Sequence, residues 1–195
     1  VNAFENGDVQ QIKFTVNEGT VAKNNLKKLK EIIIKEEISE SLDPVLEGLF
    51  LKEALIAPDT YFFSTQEDLI AVLESSKSYL DDYLESIWKK KPSGNPLKSI
   101  NEAMVLASII ERESLLASEM PTIASVFLFR LHKGMRVQAD PNSAYGYYGE
   151  YGDKIGRAVL DDNNQFNTYR INGLPPSPIC YPCLLYTSDA ADDGT

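Results

Sequence analysis

The chain has 195 residues, of which 43% are hydrophobic and 25% are charged, and its formal net charge is −10. These values are ordinary for a soluble globular protein, and the length suits one domain of average size or two small ones. Nucleic-acid-binding proteins need basic patches that neutralise phosphates, so the acidic balance argues against a nucleic-acid partner. No segment approaches the roughly 18 consecutive apolar residues of a membrane span. The chain starts at Val1 rather than at a methionine, so we expect a fragment.

The N-terminal part of the chain predicts a small α+β module over residues 1–41. Apolar and polar residues alternate over positions 12–16, which is the period of a strand. Thr20 has the residue type of an N-cap and precedes a helical pattern. The three isoleucines at positions 32–34 fit either the end of that helix or a second strand, because periodicity alone does not separate the two.

Helical spacing dominates the middle of the chain. One helix is expected over about residues 41–55, and Pro58 introduces a short aromatic strand at 61–63. A strand is expected over 135–140, after which abundant Gly, Asn, Tyr and Pro predict loops. The strongest helical patterns cover residues 66–88, 101–117 and 119–133.

Two glutamates, Glu111 and Glu113, lie in the predicted helix over 101–117. A turn of about 100° per residue puts them on nearly opposite faces. Glu113 interrupts the apolar face, where we expect desolvation to raise the pKa of its carboxyl group, as a general acid near neutral pH requires. A structural ion pair is the competing interpretation, since most such glutamates are structural.

A second group of polar side chains follows this helix. Alternation over residues 135–140 puts Arg136, Gln138 and Asp140 on one face of the predicted strand. Their guanidinium, amide and carboxylate groups can hydrogen-bond sugar hydroxyl and N-acetyl groups, although a solvated strand face explains the pattern equally well. Four nearby tyrosines fit either an aromatic cleft wall or loop packing; they are Tyr145, Tyr147, Tyr148 and Tyr151.

The sequence implies no metal and no cofactor. Cys180 and Cys183 have the C-x-x-C spacing, but four surrounding prolines oppose the strand and helix of a redox motif. A zinc site needs two more ligands, and His132 is the only histidine. We predict no catalytic function for His132, and no glycine-rich phosphate loop is present.

Several motifs in a fixed order resemble the MltG/YceG-like family of endolytic murein transglycosylases. The resemblance covers roughly residues 49–182. The motifs are Pro58-Asp59-Thr60-Tyr61, Leu106-Ala107-Ser108-Ile109-Ile110-Glu111-Arg112-Glu113, Ile123-Ala124-Ser125-Val126-Phe127, Arg130-Leu131, Lys133-Gly134-Met135-Arg136, Gln138, Asp140-Pro141, Tyr145-Gly146, Phe166-Asn167-Thr168-Tyr169 and Gly173-Leu174-Pro175-Pro176-Ser177-Pro178-Ile179.

The resemblance implies a lyase that cleaves the MurNAc–GlcNAc β-1,4 bond of peptidoglycan without water and leaves 1,6-anhydroMurNAc ends. It makes Glu113 the single catalytic acid and base, with Glu111 as the second choice. Candidate substrate contacts, by their positions in matched motifs, are Gln138, Asp140, Tyr145, Asn167 and Tyr169. The alternatives are a hydrolytic muramidase, in which Asp140 supplies a second carboxylate, and a non-catalytic peptidoglycan-binding protein.

The resemblance also implies the binding partners and the cellular location of the enzyme. The partners are peptidoglycan glycan strands and, by association, peptidoglycan synthases. The full-length family is anchored in the cell membrane by a single span, with its catalytic domain facing the cell wall, and we expect the anchor to lie outside this fragment.

The resulting fold prediction is α+β, with a LysM-like module at residues 1–41 and a helix-rich YceG-like catalytic domain with short strands at 42–182. We expect the domain to be C-terminally incomplete. Residues 183–195 have no periodic pattern and match nothing in the family, so we expect a disordered or non-native tail. Phe129, Asn142 and Ser143 depart from the family motifs.

Overall fold

The computed structural model describes residues 11–114, 116–151 and 155–183. The predicted tail therefore lies outside the described residues, apart from Cys183. The described part is helix-rich with one small sheet, which confirms the α+β class. Its elements are β1 (Ile12–Thr15), α1 (Ala22–Lys35), α2 (Pro44–Gly48), β2 (Thr60–Phe63), α3 (Gln66–Lys89), α4 (Ile100–Glu113), a 3₁₀ turn (Ala117–Glu119), α5 (Met120–His132), α6 (Asp140–Tyr148) and α7 (Arg157–Asp161).

The first lobe is built around a two-stranded antiparallel sheet. β1 pairs with β2 in a register that places Ile12 opposite Phe63 and Thr15 opposite Thr60. The apolar faces of both strands pack against α1 and the first half of α3 in one hydrophobic core. This core runs across the predicted boundary at residue 41, so residues 12–73 pack as one lobe. The LysM-like module itself stays a prediction.

The start of α1 differs from the predicted N-cap. Val21 occupies the N-cap position and offers no side-chain acceptor. Thr20 instead donates from its hydroxyl group to the carbonyl oxygen of Asn17, 2.5 Å away, and stabilises the preceding turn. The backbone N–H of Ala22 donates to a carboxylate oxygen of Glu53 at 2.6 Å. A residue 31 positions further along the chain therefore satisfies the helix start, which local sequence could not reveal. The isoleucines at 32–34 belong to α1.

The predicted helix over 41–55 is much shorter in the structure. Asp43 caps α2 by accepting from the N–H of Val45, and Pro44 occupies the first helical turn, as its fixed φ favours. The helix ends at Gly48, and the chain then turns through Ala54, whose φ is 58°. Positive φ is uncommon for a residue with a side chain. This turn directs Glu53 into the interior.

The second lobe is the part of the chain that packs around the hydrophobic core of α4 and α5, and it includes the end of α3. Thr65 caps α3 and Ser99 caps α4, each by accepting a backbone N–H three residues on. α4 ends at Glu113, four residues before the predicted end, because Ser114 is in an extended conformation. Buried residues of α4 and α5 form the second hydrophobic core with Val137, Ala139 and Ile179.

Residues 135–140 do not form the predicted strand. The alternation in burial is nevertheless present, since Val137 and Ala139 are fully buried while Gln138 is exposed. Ala139 donates its backbone N–H to the hydroxyl oxygen of Thr168 at 2.8 Å. A side chain is therefore the acceptor where a strand would use the backbone carbonyl of a neighbouring strand. The chain after this segment, which was predicted to form loops, begins with the helix α6. Pro141 lies in the first turn of α6, and Gly149 ends the helix in a left-handed conformation.

Candidate active site

Glu113 is the last residue of α4, and its side chain is exposed at the end of the helix. The expectation that it lies within an apolar stripe is wrong, because α4 stops before Leu116 can extend that face. The pKa of its carboxyl group is nevertheless raised. Partial desolvation is the largest cause, the negative charge of Asp140 adds to it, and the positive charge of Arg130 opposes both.

Asp140 and Tyr169 form a hydrogen-bonded pair beside this glutamate. The hydroxyl group of Tyr169 donates to Oδ1 of Asp140 at 2.6 Å. Burial and the charges of Asp140 and Glu113 raise the pKa of Tyr169 to about 12, so its hydroxyl group stays protonated and remains a donor. The guanidinium group of Arg136 donates to the backbone oxygen of Tyr169 at 2.8 Å and fixes that residue. The structure thus brings three predicted residues, Glu113, Asp140 and Tyr169, into one group.

The segment between α5 and α6 shapes one side of this group. Arg130 donates from its guanidinium group to the backbone oxygen of Val137. Gln138 has a φ of 56°, and its backbone N–H donates to the carbonyl oxygen of Thr168 at 3.2 Å. Its side chain is exposed. Non-glycine residues in left-handed conformations occur preferentially at functional sites, where the surrounding structure maintains the strain.

Glu111 lies on the other side of α4, as the helical spacing predicts. Its Oε2 accepts the backbone N–H of Cys183 at 3.1 Å. Partial burial raises the pKa of this carboxyl group, and the hydrogen bond from Cys183 opposes that effect. A cavity of about 110 Å³ opens on this face of α4, and Glu111 is part of its otherwise largely apolar wall. That wall includes Trp88, Leu106, Ile110 and Leu128.

Asn167 and Tyr145, two predicted substrate contacts, point into the protein. Asn167 is fully buried, and its amide nitrogen donates to the backbone oxygens of residues 159, 160 and 162. Its amide oxygen accepts from the hydroxyl group of Ser143 at 3.0 Å and so anchors α6. The hydroxyl group of Tyr145 donates to Oε1 of Glu53 at 3.1 Å. Both side chains therefore support the site from behind in this structure.

Comparison with known proteins agrees with this architecture. A family model described as the YceG-like family matches residues 1–185. The chain belongs to the YceG-like family. An endolytic murein transglycosylase of Bacillus subtilis is 32% identical over 160 residues, which covers 76% of this chain and 42% of that protein. The Streptococcus pneumoniae D39 protein of the same name is 25% identical over 189 residues, covering 90% of this chain and 34% of its own length.

A solved structure shares the fold of this YceG-like chain. It is described as a YceG-like protein from Listeria monocytogenes, and it superimposes with a TM-score of 0.70 at 24% identity. The match covers 96% of this chain and 68% of that structure. The chain spans less than half the length of the two transglycosylases that it matches. None of the helices in the described ranges combines the length and the apolar character of a membrane span.

Two charged residues of the YceG-like site region, Arg130 and Glu53, are not recognisable as such from sequence patterns. Arg130 is named in the sequence analysis only as part of the Arg130-Leu131 motif, although an arginine among the apolar residues of a helix is itself a signal. Glu53 was not singled out at all. It is 9% exposed and joins the two lobes, but it lies in a stretch that was predicted to be helical. Only its partners in space, Ala22 and Tyr145, distinguish it from an ordinary surface glutamate.

Proposed function

We propose that this chain is the catalytic part of an endolytic peptidoglycan lytic transglycosylase with Glu113 as its single acid and base. The observation that carries the proposal is the place of Glu113, an accessible carboxyl group at the end of α4; partial burial and the charge of Asp140, which Tyr169 holds, raise its pKa. A carboxyl group with a raised pKa holds its proton at a higher pH than a free glutamate does, as a general acid must. The names of the Bacillus and Streptococcus relatives support the substrate class.

The proposed reaction uses one carboxyl group twice. Protonated Glu113 donates its proton to the glycosidic oxygen between MurNAc and GlcNAc, and the bond from C1 of MurNAc to that oxygen breaks. An oxocarbenium-like sugar forms, and ionised Glu113 takes the proton of the muramyl C6 hydroxyl group. O6 bonds to C1 as this proton leaves it, which closes the 1,6-anhydro ring and leaves Glu113 protonated again. No water is consumed, and no metal or cofactor takes part.

The neighbours of Glu113 have separate functions in this proposal. The negative charge of Asp140 keeps Glu113 protonated before the bond breaks and stabilises the developing positive charge of the sugar. Tyr169 orients Asp140, and the exposed amide of Gln138 contacts the glycan. Tyr145 and Asn167 shape the site from behind, because their polar groups are engaged by the protein.

A hydrolytic muramidase is the second candidate, and it is favoured by the charge of Asp140, a second carboxyl group that acts on Glu113. Glycosidases that consume water use two carboxyl groups that flank the scissile bond. Mass spectrometry of the products separates the two reactions. Anhydro ends lack one water relative to the reducing ends that a muramidase leaves.

Digestion of purified sacculi tests the proposal. The wild-type chain, Glu113→Gln and Glu111→Gln are compared, and the released fragments are analysed by mass spectrometry. We expect anhydro-ended fragments from the wild type and from Glu111→Gln, and a rate at least about 100-fold lower from Glu113→Gln. Equal release by the wild type and Glu113→Gln would overturn the assignment of the glutamate. Binding to sacculi without release by any variant would indicate a non-catalytic peptidoglycan-binding protein.

We also propose the cellular setting that the family resemblance implies. The complete protein is anchored in the cell membrane by one span and faces the cell wall, where its substrate lies. Peptidoglycan synthases are its proposed partners. We propose a LysM-like module at residues 1–41, which overlaps part of the lobe of residues 12–73. The YceG-like domain then covers residues 42–182.

A further inference from the structure

We propose that Glu53 is a positioning residue of the candidate active site, because its carboxyl group joins the start of α1 to Tyr145 of α6. The inference rests on the proposed function, since it concerns how Asp140 is placed beside Glu113. Glu53 is remote in sequence from both residues and belongs to the first lobe.

The two carboxylate oxygens of Glu53 have different partners. Oε2 accepts the backbone N–H of Ala22 at 2.6 Å, at the N-terminus of α1. Oε1 accepts the hydroxyl group of Tyr145 at 3.1 Å. The positive end of the α1 dipole favours an acidic group at this place. One buried side chain therefore bridges the first lobe and α6.

The backbone beside Glu53 is shaped for this bridge. Ala54 follows with a φ of 58°, which is unfavourable for alanine and is maintained only where surrounding contacts stabilise it. Tyr181 packs in the same core and has a fully buried hydroxyl group. Its backbone N–H and carbonyl oxygen bond to Thr20 and Gly19, just before α1. The region around the Glu53 carboxyl group is thus a buried junction rather than a surface contact.

The bridge bears on the active site through α6. Tyr145 lies five residues after Asp140, less than two turns along the same helix. The other side of α6 is fixed to the loop over 162–168, since Ser143 donates to the side chain of Asn167. Glu53 supplies the restraint toward the first lobe. Loss of that restraint lets α6 shift and moves Asp140 relative to Glu113.

The hydrogen-bonding capacity of Glu53 matters in this proposal, more than its charge. Protonated Glu53 can still accept from Ala22 with one oxygen and donate to Tyr145 with the other, because a tyrosine hydroxyl group both donates and accepts. A glutamine has the same capacity. Glu53→Gln therefore preserves the bridge, whereas Tyr145→Phe removes one half of it and Glu53→Ala removes both halves.

An NMR titration of the Glu113 carboxyl group tests the proposal in the full chain without requiring turnover. We compare the wild type, Glu53→Gln, Tyr145→Phe and Glu53→Ala. Asp140 raises the pKa of Glu113, so a displaced Asp140 lowers the Glu113 midpoint. We expect this decrease in Tyr145→Phe and Glu53→Ala, and a wild-type midpoint in Glu53→Gln.

Two outcomes would overturn the proposal. One is a wild-type Glu113 midpoint in Tyr145→Phe, a variant that loses a single oxygen atom and so still reports if Glu53→Ala does not fold. The other is a midpoint in Glu53→Gln that moves as far as in Tyr145→Phe. The sacculus digestion with Glu113→Gln separately tests the proposed function. Failure of one experiment therefore does not decide the other.

Discussion

Tyr169 donates a 2.6 Å hydrogen bond from its hydroxyl group to Oδ1 of Asp140, and the charge of this aspartate raises the pKa of Glu113. The three residues come from α6, from the loop after α7 and from the end of α4. None is adjacent to another in sequence. Their arrangement gives Glu113 an acidic neighbour of fixed orientation. The negative charge of this neighbour makes ionisation of Glu113 less favourable than it would be in water.

The pH dependence of glycan release should report this neighbour. Glu113 must be protonated to act as an acid, so the rate should decrease as pH rises through its raised pKa. Asp140→Asn removes the negative charge and lowers that pKa, so the alkaline limb of the profile should move to lower pH. Initial rates of anhydro-ended fragment release, measured between about pH 4 and pH 8, check this.

Asp81→Asn is the matched control for this profile, because Asp81 is on α3 and pairs with Lys77. Its alkaline limb should coincide with that of the wild type. An alkaline limb in Asp140→Asn at the wild-type position would contradict the electrostatic function of Asp140. A complete loss of activity in Asp140→Asn, with anhydro ends absent from the wild-type products, would favour the muramidase instead.

Tyr169→Phe should lower the turnover rate without unfolding the protein. The variant removes only the hydroxyl group that orients Asp140, and the backbone contact from Arg136 remains. We expect a decrease in kcat of roughly threefold to tenfold, since a hydrogen bond to an exposed charged group contributes modestly. Steady-state kinetics on soluble glycan strands provide the measurement. Tyr79→Phe, on an exposed part of α3, should keep the wild-type kcat, and an equal decrease in both variants would rule out a specific function for Tyr169.

The helices were predictable where local patterns decide them. The periodicity of residues 66–88 matches α3 to within a residue, because an amphipathic helix of this length has strong local preferences and a capping threonine. The end of α4 was not predictable, because Ser114 is extended for reasons that involve its hydrogen bond to Glu119. That difference put Glu113 at an exposed helix end rather than in an apolar stripe. The choice of Glu113 over Glu111 is still a prediction.

The site was predictable only where its residues are close in sequence or in a known motif. Asp140 and Tyr169 were named from motif positions, and the structure places them together. Asn167 was named in the same way, yet its amide holds backbone oxygens inside the protein. Residue type could not separate these outcomes, since an amide that binds sugar and an amide that binds backbone use the same donors. Glu53 depends on contacts between distant segments, which a sequence pattern does not encode.

Gly146→Ala should destabilise the protein, because α6 packs closely on the loop before Asn167. A Cβ atom at residue 146 would lie 2.2 Å from the side-chain oxygen of Asn164 and 2.8 Å from Cβ of Phe166. Such overlap forces the neighbours to move, and we expect a loss of about 1–3 kcal/mol in the free energy of unfolding. Gly48→Ala is the matched control, since its Cβ would meet nothing within 4 Å. Urea denaturation that gives both variants equal stability would contradict this packing.

The stability of the chain should depend on pH through Glu53. Burial raises the pKa of its carboxyl group from 4.5 to about 7, although the hydrogen bonds from Ala22 and Tyr145 oppose this. The groups around it are neutral near that pH, because burial also raises the pKa values of Tyr145, Tyr151, Tyr181 and Cys180. Among the described residues, the hydrogen bonds from Ala22 and Tyr145 are what compensates for ionised Glu53, and they offset its burial only in part.

The sign follows from proton linkage. Between pH 4.5 and about 7 the folded protein retains a proton on Glu53 that the unfolded chain has released. The contribution of Glu53 to the free energy of unfolding is complete below its unfolded pKa and is lost as pH rises through its folded pKa. The total loss is at most about 3 kcal/mol. Glu53→Gln cannot ionise, so its free energy of unfolding should decrease less over this interval. Urea denaturation at a series of pH values measures the difference, and Glu74→Gln on the exposed face of α3 should follow the wild type. Parallel curves for the wild type and Glu53→Gln would contradict this prediction. They would mean that Glu53 has the same pKa in the folded and the unfolded protein, despite its burial between the two lobes.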